Sequence, residues 1–584
     1  MSQATPQSGT QKPNAKTAPA AGAAPRAARK FSPNEQVDFV IVGSGAAGGV
    51  LAKELSTAGF HVVVLEQGPH LHEDDFQHNE FQTIFRSALT NDWKRQPNTF
   101  RSSEQDAAKV KPSILYGRVV GGGTVHFTAN YWRFHEIDFI ERSKRGEVPG
   151  AALVDWPITY ADLEPYYTKV EWEIGVSGQA GASPFDPPRS KPYPLPPLPV
   201  KSSGVLFERG ALKLGLHPYP APMAILSKNY RNRAACVHCG YCEGFGCEMG
   251  AKSSSLATVI PEAERTGRCE IRPGSYVHEI RTDAAGRATG VVYFDGQKRE
   301  MFQKAKAVIV SANGVETPRL LLLSRSAQFP DGLANSSGIV GRHLMFNSGV
   351  PVWAQYEHPL NEYKSLIVTR VVHDFYELDP KLGICGGGGL DMRFDALPIG
   401  YALGNGLPPD TPTWGAEYKK MIERNFTRTA YIFTHATSLP VPTNSVTLDP
   451  ETKDEWGLPA ARVTYHDHPH DLKTVEYLVA RASEIIAATN PVRTWAEEVR
   501  PQEFGVHLLG TCRMGNDPKT SVVNIDHRTH DVPNLFLCDG SSFVTSGRGQ
   551  PTMTIQALAF RAADRIVRLA KRGELGTAAP ATRS

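Results

Sequence analysis

The stretch "VDFVIVGSGAAGGVLAKELSTAGFHVVVLEQGP", residues 37–69, leaves this chain few folds to choose from. An apolar run at 39–42 meets Gly43, Gly45 and Gly48, helical spacing follows as far as Gly59, and a second apolar run fills 62–65. That order predicts strand, tight turn, helix and strand, one βαβ unit of a parallel sheet. The glycines have separate tasks. Gly43 permits the turn, Gly45 lets the backbone N–H groups of Ser44 and Ala46 approach a pyrophosphate, and Gly48 lets helix and strand pack closely. The helix N-terminus favours an anion, and Glu66, 23 residues after Gly43, is placed to accept from ribose hydroxyls. The pattern therefore points to a bound dinucleotide.

At 584 residues the chain exceeds what one core serves, so roughly two to four units are expected. Lys and Arg number 63 against 60 for Asp and Glu, a balance that offers no electrostatic reason for a nucleic acid or an anionic membrane as partner. Residues 1–33 contain no acidic residue, no apolar core of signal-peptide length and no twin arginine, and read as a disordered leader; 576–584 read as a flexible tail. No run of about 18 apolar residues suggests a transmembrane segment. By default such a chain is cytoplasmic.

Farther along, a buried strand is expected at 307–311 with a helix opened by Thr317-Pro318, and another short strand in "NLFLCDGSSF". The last segment places Ile555, Leu558, Ala562, Ile566 and Leu569 at helical spacing and stops at Gly573. Residues 183–200 are too proline-rich for helix or central strand. From about 345 to 500 the texture becomes alternating strands, including "TNSVTLDPETKDEWGLPAARVTYH", as in an inserted antiparallel sheet.

Four of the eight cysteines, Cys236, Cys239, Cys242 and Cys247, stand in "CVHCGYCEGFGC". Cys269, Cys385, Cys512 and Cys538 are scattered in apolar or glycine-rich sequence and suit reduced, buried thiols. Zinc usually wants its second ligand pair more than ten residues away, and disulfides between such near neighbours would be strained. C-x2-C-x2-C is a spacing by which one loop serves an iron–sulfur cluster, with Cys247 beyond it as a fourth ligand. Structural free thiols are the other reading.

Four further stretches carry a family likeness: "GRVVGGGTVHF" at 117–127, "VSANGVETPRLLLLS" at 310–324, "GIVGRHLMFN" at 338–347, and "HLLGTCRMG" with "DGSSFVTSGRGQPTMTI" near the end. Together with the glycine turn they resemble the glucose-methanol-choline (GMC) oxidoreductases over residues 36–572. The resemblance implies an α/β, two-domain flavoprotein. Its doubly wound FAD-binding domain would comprise 34–134, 202–342 and 503–575, and its substrate domain, with an antiparallel sheet, 135–201 and 343–502. It implies that Gly122, Gly123, His126, Asp539, Gly540, Pro551 and Thr552 join the glycine turn in holding FAD. In some members a histidine at the place of His126 is bonded to the flavin; in others it is not.

By the same resemblance His507 is the general base that takes a hydroxyl proton while hydride leaves carbon for the flavin. Its partner, 43 residues on, is usually His or Asn; here it is Gln550, before Pro551. A glutamine can orient a hydroxyl by hydrogen bonding but cannot share proton transfer. The implied activity is dehydrogenation of an alcohol on a sugar, glycoside or polyol, with electrons passed to a protein or quinone acceptor. Tyr131, Trp132, Tyr401 and Trp414 are candidate pocket aromatics. The alternatives are an oxygen-using oxidase of long-chain, aromatic or sterol alcohols, and a flavin-binding protein without catalysis. Sugar dehydrogenases of this family carry a three-iron cluster on C-x5-C-x3-C; here Cys236 and Cys242 match the first gap, Cys247 lies one residue too far and Cys239 is extra. They also travel with a small subunit bearing an export signal and with a cytochrome acceptor, which would place a leaderless chain in the periplasm.

Overall fold

The computed structural model describes residues 29–575. The glycine-turn segment forms Val37–Val42, the helix Ala46–Thr57 and Val62–Leu65, as the periodicity predicts. Val37–Val42 lies in parallel between Val62–Leu65 and the long strand Glu300–Val310. Cys269–Arg272 extends the sheet on one side and Leu535–Leu537 pairs with the end of Glu300–Val310, both in parallel. An antiparallel hairpin, Tyr276–Thr282 and Ala288–Phe294, completes seven strands. The central strands carry Val40, Ile41, Val63, Val64 and Ile309 with no exposed surface, at about 1.5–3 kcal/mol for each such side chain buried.

A second sheet of six antiparallel strands runs in the order Arg493–Ala496, Pro351–Gln355, Thr429–Ala436, Gly388–Arg393, Arg370–Val372 and Tyr219–Pro220. The helix Pro469–Ala487 covers it through Val475, Leu478, Ala482 and Ile485. Together these elements form a mixed α/β molecule with several sheets.

Several expectations need correcting. Residues 202–220, placed by sequence with the nucleotide unit, belong to the second sheet: the helix Ser202–Lys213 packs Phe207 and Ala211 into its core, and Tyr219–Pro220 is its edge strand. The helix Tyr160–Ile174 goes the other way. Its Tyr167 and Val170 join the nucleotide-side core, and Tyr167 Oη lies 2.8 Å from Thr554 Oγ1 on the C-terminal helix. The hairpin Ser445–Lys453 and Pro459–Thr464 is antiparallel as expected but lies in a separate four-stranded sheet, where it pairs in parallel with Asn98–Arg101.

The helix expected from Thr317-Pro318 begins earlier, spanning Asn313–Leu323. Pro318 has no N–H for the carbonyl of Gly314, and that carbonyl instead accepts from Thr511 Oγ1 at 2.8 Å, which is how a proline is tolerated inside this helix. Of the expected leader, residues 1–28 lie outside the described residues, as does 576–584. Phe31, assigned to it, is in the core, and its N–H donates to Glu270 at 2.6 Å. No helix among the described residues is long and apolar enough to cross a membrane.

Candidate active site

A cavity of about 650 Å3 runs between the two large sheets. It is walled by Gly43, Gly45, Ala46 and Glu66, with Gly122 against Gly45 and with Gly123, His126, Asp539 and Gly540 also on the wall, and at its other end by His507, Gln550, Pro551 and Thr552.

The glycine turn has no room for side chains at Gly43 and Gly48. A Cβ on Gly48 would lie 2.0 Å from the carbonyl oxygen of Gly43, and one on Gly122, at φ +57°, would lie 2.7 Å from Gly45 Cα. Backbone from two distant segments thus meets over the cavity. Ser44 does not enter the cavity wall: its N–H and Oγ donate to Glu66 at 3.0 and 2.8 Å, and the Oγ accepts from Gly121 N at 3.1 Å. Glu66 also accepts from Gly68 N at 2.9 Å, so its carboxylate buttresses the turn besides facing the cavity. Burial raises its pKa, against those hydrogen bonds.

At the other end, the helix Thr552–Lys571 starts at the cavity wall with Pro551 as N-cap, no capping side chain and no acidic residue in its first turn. Its first N–H groups and positive dipole end are left for an anionic or electron-rich group. Asp539 is a tie rather than an open ligand: it accepts from Ser541 N at 2.7 Å, Asn313 N at 3.1 Å and Thr317 Oγ1 at 2.6 Å, which holds Gly540 at the wall. His126 Nε2 is buried at the cavity without a hydrogen-bond partner among the described residues. Burial and the neighbouring Lys252 push its pKa down to about 4. A long cradle of glycine backbone, an uncapped helix start and an orphaned imidazole nitrogen fit a dinucleotide with an aromatic head.

His507 lines the same end and makes no side-chain hydrogen bond to any described residue. Burial, with His435 nearby, lowers its pKa to about 3, so it stands neutral. Gln550 is close by, with Nε2 3.2 Å from His435 Nδ1.

His435 was not found by sequence reasoning, nor were Asp391, Arg393, Glu243 and Asp395, yet His435, Arg393, Glu243 and Asp395 line the cavity. The strands Gly388–Arg393 and Thr429–Ala436 pair with Gly389 opposite His435, Asp391 opposite Phe433 and Arg393 opposite Tyr431. One face of the sheet therefore carries Asp391, Arg393, Tyr431, Phe433 and His435 side by side. The signal was the alternation in "LDMRFD", polar on every second residue of a strand otherwise apolar; "YIFTHA" carries no such pattern. Glu243 is exposed to the space of the cavity, where partial desolvation and the neighbouring Asp395 raise its carboxyl pKa.

The four aromatics named from sequence do not line the cavity. Tyr131 and Tyr401 are core residues, Trp414 is 82% exposed, and Trp132 packs edge-on behind His435 at 5.0 Å. Tyr431, Phe433 and Phe127 take their place.

Cys236, Cys239, Cys242 and Cys247 do share one small cavity, but its volume is about 20 Å3, the space of a single water. Among the described residues no three His, Cys, Asp or Glu side chains stand where they could hold a metal, and all eight cysteines are free thiols. In this packing the loop does not fit an iron–sulfur cluster. The loop is fastened to the main cavity: Gly244 N donates to the carbonyl of His126 at 2.7 Å, and the buried Lys252 donates to the carbonyls of Cys242 and Phe245 at 2.5 and 2.7 Å.

Comparison with known proteins agrees with this architecture. GMC oxidoreductase family models match residues 37–346 and 440–559. A 2-methyl-1,2-propanediol dehydrogenase of Mycolicibacterium austroafricanum is 36% identical over 540 residues, 91% of this chain and 96% of that protein. The fructose dehydrogenase large subunit of Gluconobacter japonicus is 31% identical over 563 residues, 92% of this chain and 98% of that protein. Among solved structures, a pyridoxine 4-oxidase from Mesorbium loti superposes with a TM-score of 0.60 at 18% identity, over 91% of this chain and 99% of that one, a likeness of fold.

Proposed function

The chain belongs to the GMC oxidoreductase family, whose members bind FAD, and from that premise we propose that it dehydrogenates a hydroxyl-bearing carbon of a diol, polyol or sugar. One observation carries the reading: a neutral, unpartnered His507 beside Gln550, at the end of the cavity where the uncapped helix Thr552–Lys571 begins. The glycine turn, Gly122–His126 and the start of that helix would hold FAD, which would supply the hydride acceptor.

The chain's own residues do the rest. His507 takes the hydroxyl proton, for which a neutral imidazole with a free ring nitrogen is suited. Gln550 donates to the same oxygen and holds it in register. The helix N-terminus favours negative charge at its end of the cavity. Glu243, Asp395 and Arg393 offer hydrogen-bonding groups to a second hydroxyl, which supports a polyhydroxylated substrate, as do the names of the two relatives. An orphaned His126 Nε2 leaves a nitrogen free to meet the cofactor, with or without a bond to it.

Electrons go to a protein or quinone acceptor in this reading, and similarity to a protein named a large subunit supports a partner chain. A second reading, an oxygen-using oxidase, is supported by the fold likeness to a protein named an oxidase. Anaerobic mixing with a 1,2-diol or a sugar should bleach the flavin, and His507→Ala should slow the bleaching by ~10²–10⁴. Bleaching unaffected by that substitution would sink the assignment of His507. Slow recovery of colour in air is expected; rapid recovery would favour the oxidase.

A further inference from the structure

Gln550 occupies a position at which His or Asn was expected, and its long side chain has three torsions to fix. It is not loose in the structure. Its Nε2 lies 3.2 Å from His435 Nδ1, and the other ring nitrogen, Nε2, lies 2.7 Å from Asp391 Oδ2. Asp391 is held in turn by Arg393, whose Nε and Nη2 reach its two oxygens at 2.5 and 2.6 Å, and by Asn130 Nδ2 at 3.2 Å. Asp391 and His435 have 0% and 5% of their side chains exposed. Trp132 closes the side of the ring away from the cavity, in space that Gly389, opposite His435 in the sheet, leaves open: a Cβ there would lie 2.9 Å from the indole.

The chain of donors and acceptors has one consistent solution. Asp391, an ionised carboxylate beside an arginine, can only accept, so His435 Nε2 carries the proton and Nδ1 carries the lone pair. Nδ1 must then be given an N–H, which makes the atom facing it the Gln550 amide nitrogen. One amide hydrogen is thereby used on His435, and the second hydrogen and Oε1 are left for the cavity; no described residue bonds Oε1. Arg393 Nη2, 3.1 Å from His435 Nε2, is a donor that this tautomer cannot satisfy, and it is satisfied by Asp391 instead.

We propose that Asp391 and His435 are a positioning pair that fixes which way the Gln550 carboxamide faces, so that an amide N–H meets the substrate oxygen beside His507. This rests on the reading that Gln550 touches the hydroxyl being oxidised. In this arrangement an imidazole on the adjacent sheet acts on the substrate oxygen through the Gln550 amide.

A double-mutant cycle on anaerobic flavin reduction, with a 1,2-diol or sugar that the wild type oxidises, tests this. His435→Leu should slow reduction by ~10²-fold, as expected when a hydrogen-bonding group near the reacting atoms is mispositioned, with little change in apparent substrate affinity. His435→Asn should recover most of the rate, because its Oδ1 can stand in for Nδ1 as acceptor. Asp391→Leu should behave like His435→Leu: with the carboxylate gone, Arg393 Nη2, 3.1 Å from His435 Nε2, donates to that nitrogen, the proton moves to Nδ1, and Gln550 must turn its carbonyl inward. His435→Leu combined with Gln550→Ala should be no slower than Gln550→Ala alone. Effects that multiply in the double variant, an Asn no better than Leu, or a Leu variant as fast as wild type would each overturn the pair. Flavin content checks that each variant is folded, and should His435→Leu fail to fold, the contrast between His435→Asn and Asp391→Leu decides. A wild type that no alcohol reduces would overturn the functional reading itself.

Discussion

His507 shows how far one residue's role could be read ahead of the structure. The motif around it marked it as a base, but its protonation depends on neighbours far away in sequence. Burial and His435, 72 positions earlier, hold it neutral with a pKa near 3. The working form of a general base is the deprotonated one, and a lowered pKa extends that form to lower pH. The kcat/KM for an uncharged substrate should therefore stay level from about pH 7 to about pH 5, instead of falling through the ordinary histidine range near 6.5. An acid limb centred at 6.5 or above in a pH–rate profile would contradict this. Gln550 was legible only as a departure from pattern. The residue that explains the departure, His435, had no motif of its own, since its meaning comes from a cross-strand diagonal with Asp391.

Elements were legible where period and turn chemistry agreed, and misread where tertiary contacts replaced local ones. The glycine-turn unit folds as its spacing predicts because Gly43 and Gly48 meet backbone too near for a side chain. The helix Asn313–Leu323 defeated the reading because proline usually marks a first turn, while here a hydroxyl from another segment supplies the missing donor. Domain assignment failed for a similar reason. Nothing local says that Phe207 packs on the second sheet or that Tyr167 packs on the C-terminal helix. Thr511→Val keeps the shape but leaves the Gly314 carbonyl without its donor in a buried position. Stability measured by denaturant should fall by ~1–3 kcal/mol, and Thr511→Ser should stay near wild type. Equal stability of all three proteins would mean that the carbonyl needs no such donor.

At the scale of the molecule, the question is how electrons leave. The cysteine loop lies against the main cavity, fastened by Gly244 to His126 and by Lys252, which is the right neighbourhood for a relay. Its interior is not that of a relay. Ligation needs thiolates, and burial pushes the Cys242 thiol up to about 12 and raises that of Cys236, with the Lys252 ammonium only partly offsetting this at Cys242. The shared space admits about one water, far less than several irons and sulfides. What the loop delivers to the main cavity is Glu243, carried between Cys242 and Gly244 to stand near Asp395. The packing thus favours a structural loop that shapes the substrate wall, with electrons leaving from the cavity itself to an external acceptor. Protein purified without air should contain flavin with only trace iron and acid-labile sulfide. Three or more of each per flavin would overturn this, because the loop would then have to open around a cluster, and Glu243 would move with it.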